Sequence, residues 1–230
     1  TERRKPRTMS DQTIPQIDGP RHQPASGGPA KQLIVLLHGL GADGNDLIQL
    51  APMLAQAFPE AAFVSPHAHQ DCDVAPMGLQ WFSFKGETDD IMIQGAEAAA
   101  PVVDAFLDSE LERQGLSADK LALVGFSQGG MMALHCGLRR AQPAGCLIGF
   151  STLLPGPQKL DAEIKSKPPT LLTHGDQDEI IPAHAMPQTE AALKAAGVPV
   201  ESESRPGLGH GIDERCLELA TDFLRRHLAA

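Results

Sequence analysis

A serine with glycines two places before and two places after it, Gly125-Phe-Ser127-Gln-Gly129, follows directly on the apolar run Leu121–Val124. A serine hydroxyl is a poor nucleophile until a base takes its proton. A tight turn between a buried strand and a helix is one way to prepare it. Such a turn forces the serine backbone into a strained region, so the positions at −2 and +2 must lack bulky side chains. It also lifts the hydroxyl above the sheet and aims the next helix N-terminus at it. There, unpaired N–H groups and a partial positive charge stabilise a developing oxyanion. The pattern predicts acyl transfer with Ser127 as nucleophile and the backbone N–H of Gln128 as one oxyanion donor.

Nine histidines could serve as the base. His22 falls in a proline-rich stretch, and His67 and His69 fall in an irregular one. His38 and His174 each end an apolar run ahead of a glycine, where a structural hydrogen bond is the expectation. His135 and His227 lie in helical patterns, and His184 opens one. His210 differs, because it sits in Gly207-Leu-Gly-His-Gly211, between the last strand and the final helix. In a doubly wound sheet such loops gather at the strand C-terminal ends, beside the nucleophile. The acid should end the strand between the two, in Thr170-Leu-Leu-Thr-His-Gly-Asp-Gln-Asp-Glu. The register Gly-x-x-Asp counted from Gly175 selects Asp178, leaving Asp176 to tie the turn through backbone hydrogen bonds. Asp178 would fix the tautomer of His210 and stabilise its imidazolium.

The second oxyanion donor is expected in the glycine-rich loop Val35-Leu-Leu-His-Gly-Leu-Gly41, at Leu40 N–H. A dinucleotide site is the rival, since Gly39, Gly41 and Gly44 satisfy G-x-G-x-x-G. A ribose-binding acid at the end of a second strand is missing, because Ala62–Ser65 runs into Pro66-His67.

These residues need a scaffold. Short apolar runs at 33–37, 62–65, 121–125, 146–150 and 170–173, with a more polar one at 200–204, read as strands. Between them lie helical spacings: Leu47, Leu50, Leu54, Phe58; Val102, Val103, Phe106, Leu107, Leu111; and Leu217, Ala220, Leu224, Leu228. Apolar strands alternating with amphipathic helices predict a mostly parallel α/β sheet with helices on both faces. Pro101 should kink the second helix or start a new piece. Residues 1–30 read as an N-terminal tail with at most one short edge strand, and 31–230 as a minimal single catalytic domain. The stretch 66–90 fits no regular pattern and reads either as a cluster packed under a loop or as a functional cover.

A net charge of −10 repels phosphate backbones and argues against nucleic acid. No apolar run approaches the roughly 18 residues of a membrane span, so stable membrane insertion is not expected. Arg3, Arg4, Lys5 and Arg7 read as a solvated arm ahead of a natural start at Met9. With no apolar h-region before Leu33, they are not read as a secretory signal, and a cytoplasmic location is expected. Cys72, Cys136, Cys146 and Cys216 show no C-x-x-C spacing and read as small buried hydrophobes, not as disulfide partners or metal ligands.

Taken together, His38-Gly-Leu-Gly-Ala-Asp-Gly44, Gly125-Phe-Ser-Gln-Gly-Gly130, His174-Gly-Asp-Gln-Asp-Glu-Ile-Ile-Pro182 and Gly209-His-Gly211 resemble the phospholipase/carboxylesterase family of α/β-hydrolases. The likeness runs from about Pro29 to Leu228. It implies an α/β-hydrolase fold, a triad of Ser127, Asp178 and His210, and backbone oxyanion donors at Leu40 and Gln128. It implies no metal and no cofactor, an ester or thioester substrate, and room for a weak homodimer. Around Trp81 the residues Cys72, Asp73 and Gln80 depart from the family pattern. That segment would border the acyl groove, with Trp81 and Leu79 as candidate substrate contacts. The expected activity is hydrolysis of short or medium carboxylic esters. Cleavage of acyl-protein thioesters or lysophospholipids is the alternative. A ligand receptor on a hydrolase scaffold would be signalled by a lost triad residue, and none is lost.

Overall fold

The computed structural model describes residues 14–86 and 88–228. Arg3, Arg4, Lys5, Arg7 and Met9 lie outside them. The chain runs β1 (Arg21–His22), β2 (Gln32–Leu37), α1 (Gly44–Leu47), α2 (Ala51–Ala57), β3 (Ala61–Val64), β4 (Gln70–Asp71), β5 (Leu79–Gln80), α3 (Asp89–Gln114), β6 (Leu121–Phe126), α4 (Gln128–Arg139), β7 (Cys146–Phe150), α5 (Leu160–Glu163), β8 (Thr170–Gly175), α6 (Ala185–Ala195), β9 (Val200–Arg205) and α7 (Glu214–His227). Seven strands form one sheet in the order β1-β3-β2-β6-β7-β8-β9, and every pairing is parallel except β1 with β3. All six strands expected from the apolar runs are present.

The strands are apolar at nearly every position because the sheet is covered twice. Leu33, Val35 and Leu37 of β2 join one core with Leu121, Leu123, residues of α3 and α4, and Leu193 of α6. Ile34 and Leu36 point the other way, into a core with Ala122, Val124, Leu54 of α2 and Phe223 and Leu224 of α7. The period of two along a strand thus feeds two faces at once. Strand β9 is an edge and carries the mixed burial that its alternating Glu and Ser residues require.

Helix α3 decides between the two outcomes expected at Pro101 only in that no new piece begins there. Pro101 lies inside one continuous 26-residue helix. The helix is capped at both ends, by Thr88 Oγ1 accepting from Ile91 N–H and by Gly115 in the left-handed region. Val102, Val103, Phe106 and Leu107 are buried just past the proline, so packing there outweighs the single backbone hydrogen bond a proline removes. Strand β1 is tied down by Arg21, whose guanidinium donates to Asp18 and to the buried Glu110 of α3. Of the cysteines, Cys136, Cys146 and Cys216 are buried as expected, whereas Cys72 is half-buried.

Winding reverses at β2, with β3 on one side and β6 on the other. In open α/β sheets a crevice opens at such a switch point, beyond the strand C-terminal ends. Leu37 of β2 pairs with Gly125 of β6, so the loops that follow these two strands stand side by side there.

Candidate active site

Ser127 follows β6 in a backbone conformation of φ 54° and ψ −121°, one of two non-glycine residues with positive φ among those described. The surroundings hold it in that strained region. Its N–H donates to Phe150 O at 3.0 Å and its carbonyl accepts from Thr152 Oγ1 at 2.7 Å. A Cβ on Gly125 would stand 2.3 Å from Gly129 O, and one on Gly129 would stand 1.9 Å from Leu37 O. The flanking glycines are therefore required by close backbone approach, as their spacing predicts.

His210 lies in the loop after β9, and its Nδ1 is 2.8 Å from Asp178 Oδ2. The other carboxylate oxygen, Oδ1, accepts the N–H groups of Ile180 and Ile181, each at 2.9 Å. Burial pushes the Asp178 carboxyl up. The hydrogen bonds from His210 and from these two amides outweigh it and hold the group below the usual carboxylate range. An ionised Asp178 accepts only, so Nδ1 of His210 carries the proton and Nε2 is left as the free base. Phe126 packs on the imidazole with ring centroids 4.8 Å apart. Among the described residues no direct hydrogen bond joins Ser127 Oγ to His210. The two face one cavity, and such contacts commonly close only around substrate.

The loop that carries His210 is anchored to the end of β8. Asp176 Oδ1 accepts from Gly207 N–H at 2.7 Å, and Gln177 N–H donates to Leu208 O at 3.0 Å. A Cβ on Gly175 would meet Leu208 O at 2.1 Å, so only glycine lets the two loops touch. Asp176 thus ties loops together, and Asp178 meets the imidazole.

The loop after β2 is fixed by His38. Its Nε2 accepts from Ala68 N–H at 3.0 Å, so its Nδ1 carries the proton and donates to Gly39 O at 2.8 Å. Burial depresses the pKa of this imidazole and keeps it neutral. Leu40 N–H and Gln128 N–H, at the rim of the same cavity and at the start of α4, donate to no backbone acceptor among the described residues. Gly44, the last glycine of the G-x-G-x-x-G match, packs with its Cα against Ser65 O and gives its N–H to His67.

The cavity holds about 660 Å³ and is walled by Val74, Phe84, Met92, Met131, Leu153 and Ile180 around Ser127 and His210. The expected substrate contacts are not among its walls, and this corrects the sequence reading. Trp81 is fully buried in the core, with Nε1 donating to His38 O at 2.9 Å and its N–H donating to Gln128 Oε1 at 2.8 Å. Leu79 pairs its backbone with Gly41 and Ala42. Both brace the loop after β2 from behind. Val74 and Ile180, about 73% and 71% exposed, stand at the cavity mouth instead, and only their exposure in the fold marks them out.

A family model described as phospholipase/carboxylesterase matches residues 24–228. Esterase YpfH of Escherichia coli K12 is 34% identical over 201 residues, covering 86% of this chain and 83% of that protein. An acyl-protein thioesterase 1 of Gibberella zeae is 27% identical over 212 residues, covering 85% of this chain and 90% of its own. Among solved structures, that of esterase PE8 superposes with a TM-score of 0.89 at 43% identity, covering 93% of this chain and all of that one.

Proposed function

The chain belongs to the phospholipase/carboxylesterase family of α/β-hydrolases, and on that premise we propose that it hydrolyses carboxylic esters through an acyl-enzyme on Ser127. The observation that carries the reading is the His210–Asp178 pair, hydrogen-bonded at 2.8 Å and opening onto the same apolar cavity as the strained serine.

The steps follow from the geometry. His210 Nε2 takes the Ser127 Oγ proton as Oγ attacks the ester carbonyl. The tetrahedral oxyanion receives hydrogen bonds from Leu40 N–H and Gln128 N–H, which have no backbone partner to give up. Asp178, ionised and fully hydrogen-bonded, stabilises the imidazolium without taking its proton. His210 then protonates the leaving alkoxide. It next activates a water on the acyl-enzyme, releasing the acid and regenerating Ser127. Apolar walls formed by Met92, Met131 and Leu153 suit the acyl chain, and the volume suits a short or medium one.

A thioester would meet the same groups, and the likeness to acyl-protein thioesterases supports that second reading. The net charge of −10 makes nucleic acid an unsuited partner, and we place the enzyme in the cytoplasm as a monomer or weak homodimer. Among the described residues no helix is long and apolar enough to cross a membrane. A panel of p-nitrophenyl esters from acetyl to palmitoyl, beside an acyl thioester, tests the proposal. A kcat/KM maximum at short or medium esters is expected. A maximum at the thioester would favour the second reading, and no turnover of any member would overturn both.

A further inference from the structure

A second imidazole stands beside the Asp178 carboxylate, and the steps above do not use it. His174, at the end of β8, is 1% exposed. Its Nε2 lies 3.2 Å from Asp178 Oδ2, the same oxygen that accepts from His210 Nδ1 at 2.8 Å. The same Nε2 lies 2.9 Å from the carbonyl oxygen of Ile181. Both neighbours are acceptors, so Nε2 carries the proton and Nδ1 does not. Nδ1 is buried with no partner.

A buried polar atom left without a partner is costly. A leucine would fill the same space with no such cost, so packing alone does not account for a histidine here. What leucine could not supply is the Nε2–H. That proton is donated to Ile181 O, with Asp178 Oδ2 3.2 Å from the same nitrogen, while Ile181 N–H donates back to Asp178 Oδ1 at 2.9 Å. His174, Ile181 and Asp178 therefore close a ring of contacts that fixes both the position of the carboxylate and its rotation. With two backbone N–H donors on Oδ1 and the His174 ring against Oδ2, the carboxylate is already aimed when His210 arrives as the third donor.

We propose that His174 is a positioning residue for the catalytic pair, holding the Asp178 carboxylate in the rotation that presents Oδ2 to His210. The inference rests on the triad assignment proposed above. His174 is absent from the cavity walls and touches no substrate, so it acts only through Asp178. Groups behind a reacting side chain hold it in its productive geometry.

Removing the donor should therefore slow the chemistry and leave binding alone. His174→Leu is expected to lower kcat about tenfold, the scale of one lost hydrogen bond, with KM unchanged. The downfield imidazole proton of His210 should move in the NMR spectrum of the same variant. His174→Gln, whose amide N–H reaches about as far as Nε2, should recover most of the rate. His174→Asn, too short to reach Oδ2, should not. The Gln and Asn pair decides the matter even if the leucine variant fails to fold. Equal kcat in that pair, or a folded leucine variant within about twofold of the parent, would overturn the proposal. Asp178→Asn in the same assay separates the two readings. If it abolishes turnover while the His174 variants are silent, only the role of His174 fails. If it leaves turnover intact, the triad assignment fails.

Discussion

Substituting Asp178 by asparagine changes one atom and should remove most of the activity. The carboxylate accepts three donors, Ile180 N–H and Ile181 N–H at Oδ1 and His210 Nδ1 at Oδ2, and His174 Nε2 stands 3.2 Å from Oδ2. An asparagine oxygen would stay where the two backbone amides need an acceptor, and the NH₂ group would then face His210. An imidazole meeting a donor must turn its bare nitrogen inward, which puts the proton on Nε2, where Ser127 needs a base. The wrong tautomer and the lost anion together should lower kcat by roughly 10²- to 10⁴-fold, or roughly 3–5 kcal/mol of barrier. Asp176→Asn is the control. Its Oδ1 accepts only Gly207 N–H, and an amide oxygen can replace it there, so the rate should change far less and the larger effect, about 1–2 kcal/mol, should be on stability. Initial rates on p-nitrophenyl butyrate, with urea melts for both variants, make the comparison. If Asp176→Asn proves the more damaging, or Asp178→Asn keeps more than about a tenth of the rate, the acid has been misassigned.

Ser127→Ala should leave folding intact and cut hydrolysis by several orders of magnitude. A fluorophosphonate probe should label the parent and not the variant, and labelling of both would place the nucleophile elsewhere. Gly129→Ala puts a Cβ 1.9 Å from Leu37 O, so the nucleophile turn must open; a melting temperature equal to the parent's, with full activity, would contradict the packing described. His135, 3% exposed with Nδ1 unpartnered, has a pKa pushed down to about 4 by burial, so on acidification the unfolded chain binds its proton first. Stability should therefore fall as pH drops from 6.5 to about 4, by at most roughly 3 kcal/mol from this group, and His135→Leu should flatten that stretch of the pH–stability curve.

What could be read from the sequence was whatever depends on local backbone requirements. Gly125, Gly129 and Gly175 were legible because a side chain there would strike the backbone, and the residues they serve lie a fixed number of places away. The apolar runs were legible because a doubly covered strand admits no polar alternation. No new piece begins at Pro101 because helix propensity is a local quantity, whereas the residues that override it, Val103, Phe106 and Leu107, pack in a core shared with strands and helices distant in sequence. Trp81 misled for a related reason. A large aromatic in an irregular stretch can face a groove or the core, and Trp81 turns to the core because His38 O and Gln128 Oε1 are there to receive its two N–H groups. The cavity walls at Val74 and Phe84 come from a segment with no periodic pattern of its own and Met92 from the first turn of α3, so only the fold brings them together.

Those same hydrogen bonds bear on how substrate choice and chemistry are connected. Gln128 is fully buried; its Oε1 accepts from Trp81 N–H at 2.8 Å and its Nε2 donates to Phe82 O at 2.7 Å. Its own backbone N–H is the proposed oxyanion donor. On the other flank, Gly41 N–H donates to Leu79 O and Leu79 N–H donates to Ala42 O, one and two places beyond the proposed donor Leu40. The segment 79–82 thus locks onto the side chain of Gln128 and onto the backbone beside Leu40, the two proposed oxyanion donors, and two residues later it supplies Phe84 to the cavity wall. Asp73 holds the rest of that segment, accepting from Ser83, Gln80 and Lys85 next to Val74. A change that reshapes the cavity through this segment is therefore expected also to shift the proposed oxyanion donors and to reach kcat as well as KM. A change at Leu153, which walls the cavity from another element, is free of that linkage, whereas Ile180 is tied to the Asp178 carboxylate through its own N–H.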